Sequence, residues 1–198
     1  MLNSWNQRFK QKDYVYGTEA NEFIKNECYR FKQNSSLAAY AEGEGRNAVH
    51  IASLGHKVTA YDYARSGLDK TIALGKLHNL TVDTKLVDLL EDELLCEAYD
   101  GALMVYGHFP KNRQYNVLNK IMNSIKAGGI FLLEVYEDKQ LAYKTGGPKD
   151  VNWLYDSNEL LKWAKQFRML HFFVGETERY EGLLHHGTSY VVQLVIKK

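Results

Sequence analysis

The stretch Ser36–Asp62 limits the possible folds more than any other part of the chain. It reads Ser-Leu-Ala-Ala-Tyr-Ala-Glu-Gly-Glu-Gly-Arg-Asn-Ala-Val-His-Ile-Ala-Ser-Leu-Gly-His-Lys-Val-Thr-Ala-Tyr-Asp. Leu37–Ala41 is an apolar run of strand length. Gly43 and Gly45 make a bend that a Cβ would obstruct. Arg46–Leu54 carries Ala48, Ile51, Ala52 and Leu54 at helical spacing. Gly55 ends that helix in the left-handed position glycine tolerates. Lys57–Tyr61 is a second strand, and Asp62 stands at its tip. The whole is a βαβ unit with a glycine bend at the start of its helix.

Such a unit has a chemical use. Backbone amides and the helix dipole face the bend and favour a polar ligand there. A carboxylate at the second strand tip can accept hydrogen bonds from ribose hydroxyls. Asp62 lies 17 residues after Gly45, close to the spacing of about 20 expected of that acid. A nucleoside ligand is therefore expected. Gly43-Glu44-Gly45-Arg46-Asn47-Ala48 also satisfies the dinucleotide pattern Gly-x-Gly-x-x-Ala, so the bend alone leaves the nucleoside open.

The rest of the chain continues the α/β pattern. Trp5–Tyr16 is rich in aromatic and charged residues, and Gly17 breaks it. Glu19–Lys32 places Phe23, Ile24, Cys28 and Phe31 on one helical face. Ser66–Leu77 reads as a helix and Thr81–Leu89 as a third strand. Tyr99–Tyr106 is a near-continuous apolar strand, as burial on both faces requires. Gly107-His108-Phe109-Pro110 follows at its C-terminal end, where open α/β sheets bind ligands. Tyr106 and His108 are thus placed for function. Lys111–Lys126 is a helix stopped by Gly128-Gly129. Ile130–Tyr136 is a fifth strand, and Glu137–Trp153 is an irregular loop leaving the same end of the sheet. Asp156–Phe167 is a helix capped by Asp156, with Glu159 at the capping-box position.

The ending sets the architecture. Strands Met169–Tyr180 and Thr188–Ile196 are joined by Glu181–Gly187, which contains His185-His186. That connection is too short for a parallel crossover of a dozen or more residues, so the two strands are antiparallel. A dehydrogenase needs a second βαβαβ half, for which 198 residues leave little room. One domain over 1–198 is expected: a Rossmann-like core over 35–198, and an N-terminal arm and helix over 1–34 acting as a lid.

The run Glu42–Ala48, with Gly55-His56-Lys57-Val58-Thr59-Ala60-Tyr61-Asp62, resembles motif I of class I S-adenosylmethionine-dependent methyltransferases. It is most similar to the branch of tellurite-resistance and thiopurine-type enzymes. Tyr14–Phe23 and Thr145–Lys149 also resemble that branch. The resemblance implies a doubly wound seven-stranded sheet of order 3-2-1-4-5-7-6, with strand 7 antiparallel. It implies S-adenosylmethionine as donor, held by Ala41, Glu42, Gly43, Glu44, Gly45, Arg46, Asp62, Tyr63, Asp88, Leu89 and Tyr106. Asp88 and the Leu89 amide would take the adenine, although Asp88 also suits a helix cap. Glu42 or Glu44 would hold the donor's ammonium, and Arg46 would neutralise the surplus charge or hold the donor's carboxylate. Tyr16, Gly17, His108, Gly146, Gly147 and Pro148 would line the acceptor pocket. The chain departs from the common motif at Ala39, where an acid is usual, and at Ala41, where the first glycine is usual.

Methyl transfer from a sulfonium is an in-line displacement that needs alignment in a dry site more than a reactive side chain. An acceptor with a proton to lose would use His108 or Tyr106 as base. No metal is called for, since His185-His186 lacks a ligand spacing. The net charge of +1 over 25 basic and 24 acidic residues gives no nucleic-acid footprint. No apolar run reaches membrane length, and the N-terminus lacks a signal-peptide layout. Cys28 and Cys96 belong to no redox motif, which fits a reduced cytoplasmic setting. The expected protein is a cytoplasmic methyltransferase of a small molecule, monomeric or homodimeric. The alternatives are an NAD(P)-binding oxidoreductase and a non-catalytic S-adenosylmethionine-binding protein.

Overall fold

The computed structural model describes residues 2–182 and 185–198. Seven strands form one sheet: β1 (Ser36–Tyr40), β2 (Lys57–Asp62), β3 (Asp83–Leu86), β4 (Tyr99–Val105), β5 (Ile125–Tyr136), β6 (Arg168–Glu181) and β7 (His185–Lys197). Their order is β3-β2-β1-β4-β5-β7-β6. The first five are parallel, and β7 runs antiparallel to both β5 and β6. The expected Rossmann-like doubly wound sheet is therefore present, with its antiparallel strand where the short last connection required it.

Six helices accompany the sheet: α1 (Leu2–Phe9), α2 (Glu22–Glu27), α3 (Arg46–Ser53), α4 (Arg65–Leu77), α5 (Lys111–Ser124) and α6 (Ser157–Ala164). On one face, Phe23 and Ile24 of α2, Ala48 and Ile51 of α3 and Leu68 and Leu74 of α4 pack with Leu37, Ala39 and Leu103. On the other, Val117, Leu118 and Ile121 of α5 and Leu160 of α6 pack with Tyr40, Phe131 and Leu133. Burial on both faces is why β1, β4 and β5 read as apolar runs rather than alternations. No helix among the described residues is long and apolar enough to cross a membrane.

Several boundaries differ from the sequence expectation. The helix expected over 19–32 is only α2 plus a 3₁₀ turn, because Asn21 caps it late by accepting from the Ile24 amide. Gly128 and Gly129 do not end α5. They lie inside β5, where Gly129 packs so tightly that a Cβ would stand 2.6 Å from the Asp100 carbonyl oxygen. The third strand is only four residues long. Asp156 caps α6 as expected, accepting from Asn158 and Glu159, but Glu159 reaches Lys162 instead of completing a capping box. β6 and β7 extend into the expected turn, to Glu181 and from His185. Leu183 and Leu184 of that turn lie outside the described residues, and His185 already belongs to β7. The long hairpin carries the end of β6 back over the C-terminal edge of the sheet.

Candidate active site

The chain leaves β1 toward β2 on one side, and β4 lies on the other. The C-terminal ends of β1 and β4 therefore form the switch point at which open α/β sheets bind ligands. The residues that follow these strands, Ala41 and Tyr106, have φ of 51° and 55°. Neither is glycine, so both are strained, and such strain gathers at functional sites.

The glycine bend is built by close approach. Gly45, at φ 91°, precedes α3, and a Cβ there would stand 2.6 Å from the Thr71 side chain. Gly67 of α4 comes as near to the bend: its Cβ would meet the Gly43 carbonyl oxygen at 2.6 Å. Across these two glycines lies the ring of Phe9. It stands 3.1 Å from the Cβ position of Gly43 and 3.0 Å from that of Gly67. Trp5, Phe9 and Tyr16 form a tilted ring cluster above it, and Asn6 accepts from the Ser66 amide. The N-terminal arm thus covers the bend, and Phe9 fills the concavity that the sequence assigns to a ligand.

The carboxylates of the bend turn inward. Glu42 Oε1 accepts the Asn47 and Ala48 amides at 2.8 Å, capping α3. Asp62 accepts Gly43 N–H with one oxygen and Ala64 N–H with the other, both at 2.8 Å. Burial pushes Glu42 up to about 7 and Asp62 up to about 6, against the pull of those amides. Glu44 ties the arm down: it accepts the Val15 amide at 2.8 Å and takes an ion pair from Lys70 at 2.6 Å. Both carboxylates expected to hold an ammonium thus have protein partners: the first amides of α3 for Glu42, and the arm and Lys70 for Glu44. Arg46 is expected to neutralise surplus negative charge or to hold a ligand carboxylate, and here it has a protein partner. It pairs with Glu181 at 2.8 Å and donates to the Tyr16 carbonyl.

Tyr63 is half-buried, and both Asp62 and Asp88 raise its phenol pKa after burial has done so. It therefore stands near both strand-tip acids. Asp88 accepts the Leu90 amide, and its own N–H donates to Asp92. It organises a turn, and Leu89 is buried in the core. The helix cap weighed from the sequence is not formed, because no helix among the described residues follows Asp88 before β4.

At the tip of β4 the Tyr106 hydroxyl accepts from Arg179 Nε at 2.7 Å, and its ring stacks on Tyr136 at 4.4 Å. Burial pushes its phenol well above 10, which opposes a phenolate base near neutral pH. His108 is also engaged. Nδ1 lies 2.9 Å from the Trp153 carbonyl, and Nε2 accepts the Tyr136 amide at 3.4 Å. Both ring nitrogens meet backbone, so His108 staples the 137–153 loop to the sheet. That loop does reach the site. Gly147 packs on the Tyr136 ring, with its Cβ position 2.7 Å from Cδ2, and the Gly146 carbonyl accepts from Gln140. Pro148 follows on the half-exposed side of the same turn. Tyr16 and Gly17 sit opposite, where Gly17 abuts Gly182 so closely that a Cβ on Gly182 would stand 2.4 Å from the Gly17 nitrogen.

Sequence reasoning missed the network beneath. Glu134 of β5 is fully buried. It accepts from Arg179 at 2.7 Å, from Asn21 at 2.7 Å and from Gln193 at 2.6 Å. Asn21 also donates to Glu181 at 3.0 Å. The signal was present in part: Glu134 and Gln193 interrupt two apolar runs, and a buried charge must be paired. The partners could not be read, because they come from β6, from β7 and from before α2.

The sheet order, the glycine bend at the switch point and the acid at the tip of β2 together define a class I S-adenosylmethionine-dependent methyltransferase. The chain matches the model of the family described as tellurite resistance protein TehB over residues 9–182, and it belongs to that family. No curated protein matches it in sequence. Solved structures do match in fold. TehB from Haemophilus influenzae is 15% identical with a TM-score of 0.73, over 99% of this chain and 66% of that one. A methyltransferase from Methanosarcina mazei is 13% identical with a TM-score of 0.70, over 91% and 98%. Coclaurine N-methyltransferase, bound to N-methylheliamine and S-adenosylhomocysteine, is 14% identical with a TM-score of 0.68, over 100% and 80%.

Proposed function

We propose that this protein transfers the methyl group of S-adenosylmethionine to a small molecule. The observation that carries the reading is the pair of buried carboxylates, Glu42 and Asp62, on either side of the glycine bend, both raised by burial and neither ion-paired at hydrogen-bond distance among the described residues. A cationic ligand above the bend relieves that cost, because opposite charge favours the ionised acid. The Gly43–Gly67 concavity already receives a flat ring, that of Phe9, so its shape suits a planar group once α1 withdraws.

The donor supplies an activated methyl on a positively charged sulfur. The chain's own residues do the rest. The Gly43–Gly45 backbone cradles the polar tail, and Asp62 offers the remaining acceptor positions of its oxygens to ribose hydroxyls. Tyr63 flanks the adenine, and Ala41 and Tyr106, at the ends of β1 and β4, border the cationic end. With α1 withdrawn from the bend, the part of the arm around Tyr16 and Gly17 closes over the donor and excludes water, which strengthens every electrostatic contact inside. Tyr16, Gly17 and the loop at Gly146, Gly147 and Pro148 enclose the acceptor. The chemistry proceeds by alignment without a side-chain base, since His108 and Tyr106 are both held.

The test is a thermal shift against two ligands. A ligand that binds the native state raises the melting temperature. S-adenosylhomocysteine is expected to raise it and NADH is not; the reverse pattern would point to an oxidoreductase. Release of S-adenosylhomocysteine on incubation with S-adenosylmethionine and an acceptor panel separates an enzyme from a binding protein.

A further inference from the structure

We propose that α1 is an internal competitor of the donor. Residues 2–9 close the empty site by seating Phe9 in the Gly43–Gly67 concavity, and a hinge over residues 10–12 lets them leave as S-adenosylmethionine enters. This rests on the methyltransferase reading above and adds a regulation of the same site.

The seat is built for a ring. Gly67 lies inside α4, where glycine is among the poorest choices for helix stability. Its missing Cβ is used twice: that atom would stand 2.6 Å from the Gly43 carbonyl oxygen and 3.0 Å from Phe9. Gly43, at φ 65°, leaves its own Cβ position 3.1 Å from the same ring. Phe9 thus takes up the volume that two glycines leave at the bend, and it is 4% exposed. A phenyl ring and a nucleoside cannot share that volume, so the contact is competitive.

The two parts of the arm are held differently. The part that follows the hinge is pinned by polar bonds from several elements. Val15 N–H donates to Glu44 at 2.8 Å, the Tyr14 hydroxyl donates to the Lys70 carbonyl at 3.0 Å, and Lys70 Nζ donates to the Asp13 carbonyl at 2.7 Å. Over residues 4–12, by contrast, only Phe9 is buried. The polar ties of α1 are the Ser66 amide and hydroxyl to Asn6, and Arg8 to the Tyr16 hydroxyl. Water replaces such accessible bonds at little net loss. A helix of eight residues also has little stability of its own. Lys10, Gln11 and Lys12, between the two parts, are exposed. The donor therefore meets a plug held mainly by one side chain, beside a strap over 14–17 that stays in place.

The consequence is quantitative. The apparent donor affinity is that of the open form, reduced by the fraction of chains in which α1 is out. Weakening the seat of Phe9 must then tighten binding. A lid that folded over the donor would give the opposite result, because its loss would weaken binding.

The experiment uses the full chain and S-adenosylhomocysteine, with dissociation constants from calorimetry for wild type, Phe9→Ala and Asn6→Ala. Phe9→Ala is expected to bind about tenfold more tightly, and Asn6→Ala about threefold. Unchanged or weaker binding overturns the proposal. Asn6→Ala keeps the ring and answers the question alone should Phe9→Ala not unfold cooperatively. Hydrogen exchange on the wild-type chain gives a readout free of substitution. Bound S-adenosylhomocysteine is expected to speed exchange about tenfold over residues 5–9 while slowing it over 14–17. Unchanged or slower exchange over 5–9 would mean that α1 stays seated or closes on the ligand, and this too overturns the proposal. Binding by neither wild type nor the variants would remove the methyltransferase reading itself. Binding by wild type that the variants do not strengthen removes only the competitor.

Discussion

The guanidinium of Arg46 lies 2.8 Å from the carboxylate of Glu181, joining the first turn of α3 to the end of β6 across 135 residues of chain. Both side chains are at least nine-tenths buried. Breaking such a pair from one side leaves a buried charge and costs about 3–5 kcal/mol. Glu181→Ala is expected to lose that much in urea unfolding. Adding Arg46→Met should recover more than half of it, because no unpaired charge then remains. A single-variant loss near zero would mean that water reaches the pair.

Ligand binding should be visible at Trp5. The ring of Trp5 lies 5.5 Å from that of Phe9, and Phe9 fills the Gly43–Gly67 concavity. A donor at the bend must displace Phe9, so α1 moves with it. Tryptophan emission is expected to change on addition of S-adenosylhomocysteine, and Trp5→Phe should abolish the change while Trp163→Phe keeps it. A response that survives Trp5→Phe would mean the arm stays where it is.

Two pH effects follow from Glu42 and Asp62. Their folded-state pKa values, about 7 and about 6, lie above those of exposed acids. The folded state therefore binds their protons more tightly than the unfolded state does. The stability they contribute is complete below about pH 4 and is lost as pH rises through 6 and 7. Measured against Glu42→Gln and Asp62→Asn, wild type should lose stability between pH 5 and 8 more steeply than either variant. The donor's sulfonium prefers the ionised acids, whereas its demethylated product has no such charge. The affinity for S-adenosylmethionine relative to S-adenosylhomocysteine should fall about fivefold from pH 8 to 5.5. A ratio flat with pH would place the sulfonium away from both acids.

His108 should matter for folding more than for turnover. It holds the Trp153 carbonyl and the Tyr136 amide, and it stacks on Tyr136 at 5.6 Å. His108→Ala is expected to cost about 1–3 kcal/mol, the range for stranding buried hydrogen-bonding partners. With saturating donor, kcat should stay within about twofold of wild type. A large drop in kcat with stability intact would restore His108 as a catalytic residue.

The residues of the bend show how far local reading went. Gly43 and Gly45 could be found because a bend between a strand and a helix excludes a Cβ, which is a local rule. The roles of Glu42, Glu44 and Arg46 could not. A carboxylate beside a glycine bend suits a ligand's ammonium and a helix cap equally well until the neighbours are known. Here the neighbours are the Asn47 and Ala48 amides, Lys70 and Glu181. Phe9 was legible as part of an aromatic arm, but its seat between Gly43 and Gly67 depends on how α4 approaches the bend.

From its order of residues alone the chain commits to a parallel sheet closed by one antiparallel strand. Strand runs, glycine stops and a last connection too short to cross over leave few other topologies. What folding alone decided is which charges meet. Asn21, Arg46, Glu134, Arg179 and Glu181 come from four separate segments, and the sheet and its hairpin bring them together. Burial then makes each pairing obligatory, because a charge shut away from water must find its opposite among whatever the fold places beside it.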